Sequence, residues 1–88
     1  MTIKITAQDI ADAVKSSPND EELDLGNLIR DDGRKTAVRR AITIGSKSVF
    51  FVPEALVLRF VVIDSHFPHE KIFAQTEERA AQIFNDGV

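Results

Sequence analysis

The sequence predicts a small α+β domain in which an antiparallel sheet of three or four strands carries its helices mainly on one face. Three observations predict it. Helix starts with identifiable caps stand near both ends of the chain, at Thr6 and Thr76. β-branched and aromatic residues concentrate in the stretch between, and Gly45-Ser46-Lys47 interrupts that stretch where a hairpin would turn. The expected order is β-α-α-β-β-β-β-α, with residues 1–88 as a single domain.

Ile3 and Ile5 alternate with polar neighbours, which predicts a short first strand. Thr6 then stands as an N-cap with Asp9 three residues on, and a helix over residues 7–16 turns Ile10, Ala13 and Val14 inward. Ser17-Pro18-Asn19-Asp20 is a turn. The acidic residues after it suit a helix N-terminus, so residues 21–31 are expected as a second helix striped by Leu25, Leu28 and Ile29, with Gly33 as its stop.

Residues 36–44 carry two alternatives. Val38, Ile42 and Ile44 can alternate with Arg40 on a strand, or residues 34–42 can form one more helix. After the turn at Gly45, residues 48–52 are expected to return as a strand. Residues 55–63 are almost wholly apolar and rich in β-branched side chains, which favours a strand buried on both faces, although Pro53 would also suit the first turn of a helix. Residues 71–75 form a last short strand, and Thr76 caps a terminal helix with Glu77 and Glu78 in its first turn, Ala80, Ile83 and Phe84 inward and Gly87 beyond its end.

At 88 residues the chain buries only about 60 to 65 % of the surface its unfolded form exposes, so the core is thin. With no cysteine it has neither disulfide staples nor a thiolate zinc site, and a reducing, cytoplasmic setting is expected. The first residues lack the apolar core of a signal peptide, and Arg59 interrupts the longest apolar run, so neither export nor membrane insertion is expected. A net charge of -3 weighs against general binding to nucleic acid, but the charge is segregated. Residues 16–32 hold six acidic side chains against Arg30 alone, and residues 33–47 hold five basic ones and no acid.

Few constellations suggest chemistry. His66 and His69 lie near Asp64 and Glu70, a spacing that a solvated turn explains as well as an ion site does, and Ser65-His66 is adjacent in sequence only. No phosphate loop and no zinc-protease motif is present. The expectation is therefore a non-enzymatic protein without cofactor, metal or small-molecule substrate.

Two surfaces are candidates for a partner. Phe50 and Phe51 are adjacent and so point to opposite faces of a strand, and residues 55–63 are apolar on both faces; one sheet face is expected to remain uncovered. That nominates Phe50, Phe51, Val57, Arg59, Val61 and Phe67 for protein binding, to another protein or in a homodimer through the strand at residues 55–63. The size, acidity and absence of catalytic motifs fit the general style of phage and mobile-element proteins that inhibit or adapt a larger complex, an analogy no motif carries.

The alternative is a DNA-binding protein with a helix-turn-helix-like segment around residues 34–40 and a hairpin wing. There Arg34, Lys35, Arg39 and Lys47 would meet phosphates, and Thr36 or Arg40 the bases. Set against this, the same arginines on a solvated strand would pair with the acidic segment at residues 19–32.

Overall fold

The computed structural model describes residues 4–17, 21–25, 34–67 and 70–86. The described elements are helix α1 (Ala7–Ser16), strands β1 (Glu21–Leu23), β2 (Thr36–Ile44), β3 (Lys47–Phe51), β4 (Phe60–Asp64) and β5 (Ile72–Ala74), and helix α2 (Glu77–Asp86). The strands form one sheet in sequence order, every neighbouring pair antiparallel. The expected α+β class holds, with five strands rather than three or four. No helix among the described residues is long and apolar enough to cross a membrane.

Both helices start as their sequences predict. The Thr6 hydroxyl accepts the Asp9 N–H at 3.1 Å while the Asp9 carboxylate accepts the Thr6 N–H at 2.9 Å, which satisfies two of the donors a helix start leaves without an intrahelical partner. At α2 the Thr76 hydroxyl accepts the Arg79 N–H at 3.1 Å, and Glu77 and Glu78 complement the helix dipole. Ile10 of α1 and Ala80, Ala81 and Phe84 of α2 pack with Val49, Phe60, Val62 and Ala74 on one face of the sheet. Both helices therefore lie on the same side.

The chain departs from expectation at three elements. Of the expected first strand, Ile3 lies outside the described residues and residues 4–6 form no strand; the Asn85 side chain takes up the backbone of Ile5 instead, accepting the Ile5 N–H and donating to the Ile5 carbonyl, both at 2.8 Å. The Ile5 side chain is thereby fixed in the core beneath α2. Of the expected second helix, Glu21–Leu23 is strand β1, and residues 26–31 lie outside the described residues. Pairing with β2 settles this: Glu21 faces Val38 and Leu23 faces Thr36, so an edge strand satisfies backbone groups that a helix would otherwise bond internally.

Strand β2 resolves the ambiguity at residues 36–44 in favour of strand. Its pairing with β3 shifts register between Arg40 and Ile42, leaving Ala41 as the extra residue of a bulge. A one-residue slip exchanges faces. Val38 and Arg40 consequently lie on the face away from the helices, whereas Ile42 and Ile44 pack into the helix-side core. The turn follows at Gly45, whose φ of 61° is the left-handed conformation that favours glycine.

The third departure is at residues 55–63. Only the part from Phe60 onward belongs to a strand, and β4 is paired on both sides, to β3 and to β5. It has no free edge through which a second copy could add a strand. The sheet face opposite the helices is not bare either: Leu25, Val38, Phe50, Val52 and Val61 form a buried cluster there, flanked by Leu23, Ala55, Ile63 and Phe73.

Burial in this second cluster sets a measurable expectation. Phe50→Ala is expected to lower stability by about 3–5 kcal/mol in denaturant unfolding. Leu56→Ala, at an exposed loop position, is expected to change it by less than about 0.5 kcal/mol. Comparable losses at the two positions would contradict the placement of Phe50 in a second core.

Candidate functional site

Adjacent residues on a strand point to opposite faces, and this distributes the basic segment. Arg39 faces the helices: its guanidinium donates to the Val14 carbonyl of α1 at 3.4 Å, where a cation complements the helix C-terminus, although its Nε is buried without a partner. Arg40 lies on the other face and makes a two-pronged ion pair with Glu21, Nε and Nη2 each 2.9 Å from a carboxylate oxygen. Its Nη1 donates to the hydroxyls of Thr43 and Ser48, both at 3.1 Å, and its guanidinium carbon stands 4.9 Å from the centre of the Phe50 ring. Arg40 therefore joins the acidic and basic segments across the β1–β2 pair and covers Phe50. The Arg40 bonds hold the Glu21 carboxyl below its ordinary range, and Glu21 raises Arg40 in return.

The other cations are placed apart. Lys47 donates to the Phe84 carbonyl at 3.3 Å and lies 5.8 Å from the centre of that ring, at the far end of the sheet on the helix side. Arg34 and Lys35 are exposed before β2, and Thr36 is fully buried. A helix-turn-helix would require a recognition helix over residues 34–40, but Thr36–Ile44 is a strand paired on both sides, so that element is corrected. The residues nominated for phosphate and base contact do not share a face, and Thr36 has no access to a ligand.

The six residues nominated for protein binding also divide. Phe50 and Val61 are buried and serve the second core. Phe51 is half-buried on the helix face, its ring 5.5 Å from that of Phe60. Arg59 is exposed just before β4 and stands 5.6 Å over the Phe51 ring, so it is not a buried charge in an apolar strand. Val57 and Phe67 are exposed. Leu56, which the sequence had not singled out within its apolar run, is the most exposed large hydrophobic side chain among the described residues, at 95 %.

Leu56 and Val57 occupy the loop at residues 53–58, which joins β3 to β4. Its base is closed by Val52, whose N–H donates to the Arg59 carbonyl at 2.8 Å, one step beyond the Phe51–Phe60 pair. Within it the Ala55 N–H donates to the Val52 carbonyl at 3.2 Å and the Arg59 N–H to the Val57 carbonyl at 3.0 Å. Leu56 and Val57 are its apolar tip on a closed stem, with Glu54 exposed at the start of the loop.

At the opposite end of the same hairpin, where Lys47 pairs with Asp64, lies a cavity of about 300 Å3. Val62, Phe67, Ile72 and Ile83 form its apolar lining, with Lys47, Asp64 and Glu70 around them. Phe67 and Ile72 are 57 % and 44 % exposed, so apolar surface is displayed here as well. The backbone N–H of His66 donates to the Asp64 carboxylate at 2.9 Å and holds that carboxyl below its ordinary range. His66 is exposed, and His69 lies outside the described residues.

No family model, no curated protein and no solved structure matches this chain.

The Glu21–Arg40 pair generates a pH prediction. A carboxyl whose folded value is lowered stabilises the fold above the ordinary glutamate range and loses that contribution as pH falls through the lowered value. Because both side chains are more than a third exposed, at 44 % and 35 %, solvent screening keeps the effect small. Glu21→Gln is expected to cost less than about 1 kcal/mol at neutral pH, with the gap to the parent closing on acidification. A gap that persists unchanged into acid would show that ionised Glu21 is not its source.

Proposed function

We propose that the chain is a non-enzymatic protein-interaction module whose principal contact is the loop at residues 53–58. The observation that carries this reading is the display of Leu56 and Val57, 95 % and 57 % exposed, on a stem closed by backbone hydrogen bonds. Exposed apolar side chains are common singly, but two consecutive ones at a fixed tip give up burial that residues of this type normally gain. A partner surface restores it. A loop held by a paired hairpin also binds at a lower ordering cost than a free segment would.

The basic segment supports this reading indirectly. Arg39, Arg40 and Lys47 are engaged with the α1 terminus, with Glu21 and Phe50, and with Phe84, so they act in holding the fold together. Phosphate recognition along one surface draws no support from their placement.

Substitution at the tip tests the proposal. Capture from cell extract by the immobilised chain is expected to yield partners that Leu56→Asp/Val57→Asp loses, with affinity for an identified partner falling at least about 30-fold, the roughly 2 kcal/mol that marks an interface hot spot. The variant should keep the parent's circular dichroism spectrum, since neither side chain is buried. Identical partners and affinities for the two chains would overturn the assignment of the loop.

A further inference from the structure

The four exposed large hydrophobic residues among those described fall into two patches, Leu56 with Val57 and Phe67 with Ile72. The patches differ in shape. Leu56 and Val57 crown a projecting loop, whereas Phe67 and Ile72 border a cavity of about 300 Å3 floored by Val62 and Ile83. That volume is at the small end of the range for ligand cavities, and its lining suits aliphatic groups.

The patches differ in charge in a matching sense. Two carboxylates, Asp64 and Glu70, stand at the cavity against one ammonium, Lys47. Arg59 is exposed at the base of the tip, two residues beyond Val57, with the Phe51 ring as its contact, while Glu54 on the other side of the tip lines a separate concavity with Arg34 and Lys35. An aliphatic tip followed by a guanidinium complements an aliphatic cavity with an acidic rim. Two further concavities suit such a tip less well: one is lined by Glu22, Arg34, Lys35 and Glu54 around Ala37, and another includes Arg59 itself.

The tip and cavity lie at opposite ends of the β3–β4 hairpin, one beyond the Phe51–Phe60 pair and the other at the Lys47–Asp64 pair. Four residue steps of strand separate these pairs by about 13 Å, so the tip cannot fold back into the cavity of its own chain. Building on the loop as the contact element, we infer that its partner is a second copy of this chain, with Leu56 and Val57 of one copy seated in the Val62–Phe67–Ile72–Ile83 cavity of the next and Arg59 facing Asp64 and Glu70. Such a contact joins two different patches. It is heterologous, and each copy retains a vacant tip at one end and a vacant cavity at the other, so assembly proceeds head to tail until a ring closes or a filament grows.

Complementation between variants tests this. Sedimentation velocity is expected to show mass rising with concentration for the parent chain, and a monomer for Leu56→Asp and for Phe67→Asp measured separately. Mixed, the two variants restore one functional tip and one functional cavity, and the expected product is a heterodimer of twice the monomer mass that grows no further. Ile72→Asp serves as the cavity variant if Phe67→Asp loses the parent's circular dichroism spectrum.

A parent chain that stays monomeric to millimolar concentration overturns the inference. Continued self-association of both cavity variants overturns it too, because the tip would then be meeting another surface. Either result leaves the loop as a contact for a different protein standing if extract capture still depends on Leu56 and Val57. Loss of that dependence removes the broader proposal separately.

Discussion

Phe50 and Phe51 are consecutive residues of the central strand, and consecutive strand residues must point to opposite faces. No arrangement that covers one side of the sheet alone can bury both rings. The helix side is the straightforward half: α1 and α2 provide a stripe of Ile10, Ala80, Ala81 and Phe84 over Val49, Phe60 and Val62. On the other side, Leu25 of the chain after β1 contributes apolar cover, while Arg40 lies over the Phe50 ring with Glu21 holding its guanidinium. A thin domain has thus recruited a charged side chain as part of the wall of its second core, with the guanidinium itself set over the ring as a cation–π contact.

The bulge at Ala41 makes this division possible. Without it, Val38, Arg40, Ile42 and Ile44 would share one face, and Arg40 would be carried into the helix-side core or the isoleucines to the outside. The shifted register sends Val38 and Arg40 one way and Ile42 and Ile44 the other, which serves both cores with one strand. Arg39 and Arg40, adjacent in sequence and alike in chemistry, consequently serve unrelated ends: one meets the carbonyls at the end of α1 and the other bridges to β1.

What was legible in the sequence was the local chemistry. Thr6 with Asp9, Thr76 with its glutamates, and Gly45 each satisfy a requirement of their own immediate backbone, and these fix both helices and the central turn. What was not legible depends on pairing across the chain. Glu21–Leu23 has the composition of a helix start, and only its register with β2 makes it a strand. Nothing in the Ile5 neighbourhood announces that Asn85, 80 residues away, will satisfy its backbone. Adjacent phenylalanines point to protein binding on the sheet face, yet Phe50 and Val61 have cover there, while Val57 and Phe67 are exposed in connections at either end.

The apolar run at residues 55–63 shows why composition leaves this open. Hydrophobicity states what a side chain gains from burial, not whether the chain itself supplies the burial. Here β3 ends at Phe51, and the Val52–Arg59 hydrogen bond closes the hairpin before the run has entered the sheet. From Phe60 onward, β3 on one side, β5 on the other and α2 above provide the cover. Leu56 and Val57 lie beyond that frame, outside β3 and β4, and are exposed. The loop therefore retains unburied apolar surface because of where the sheet stops, and the contact assigned to it follows from that limit more than from any motif.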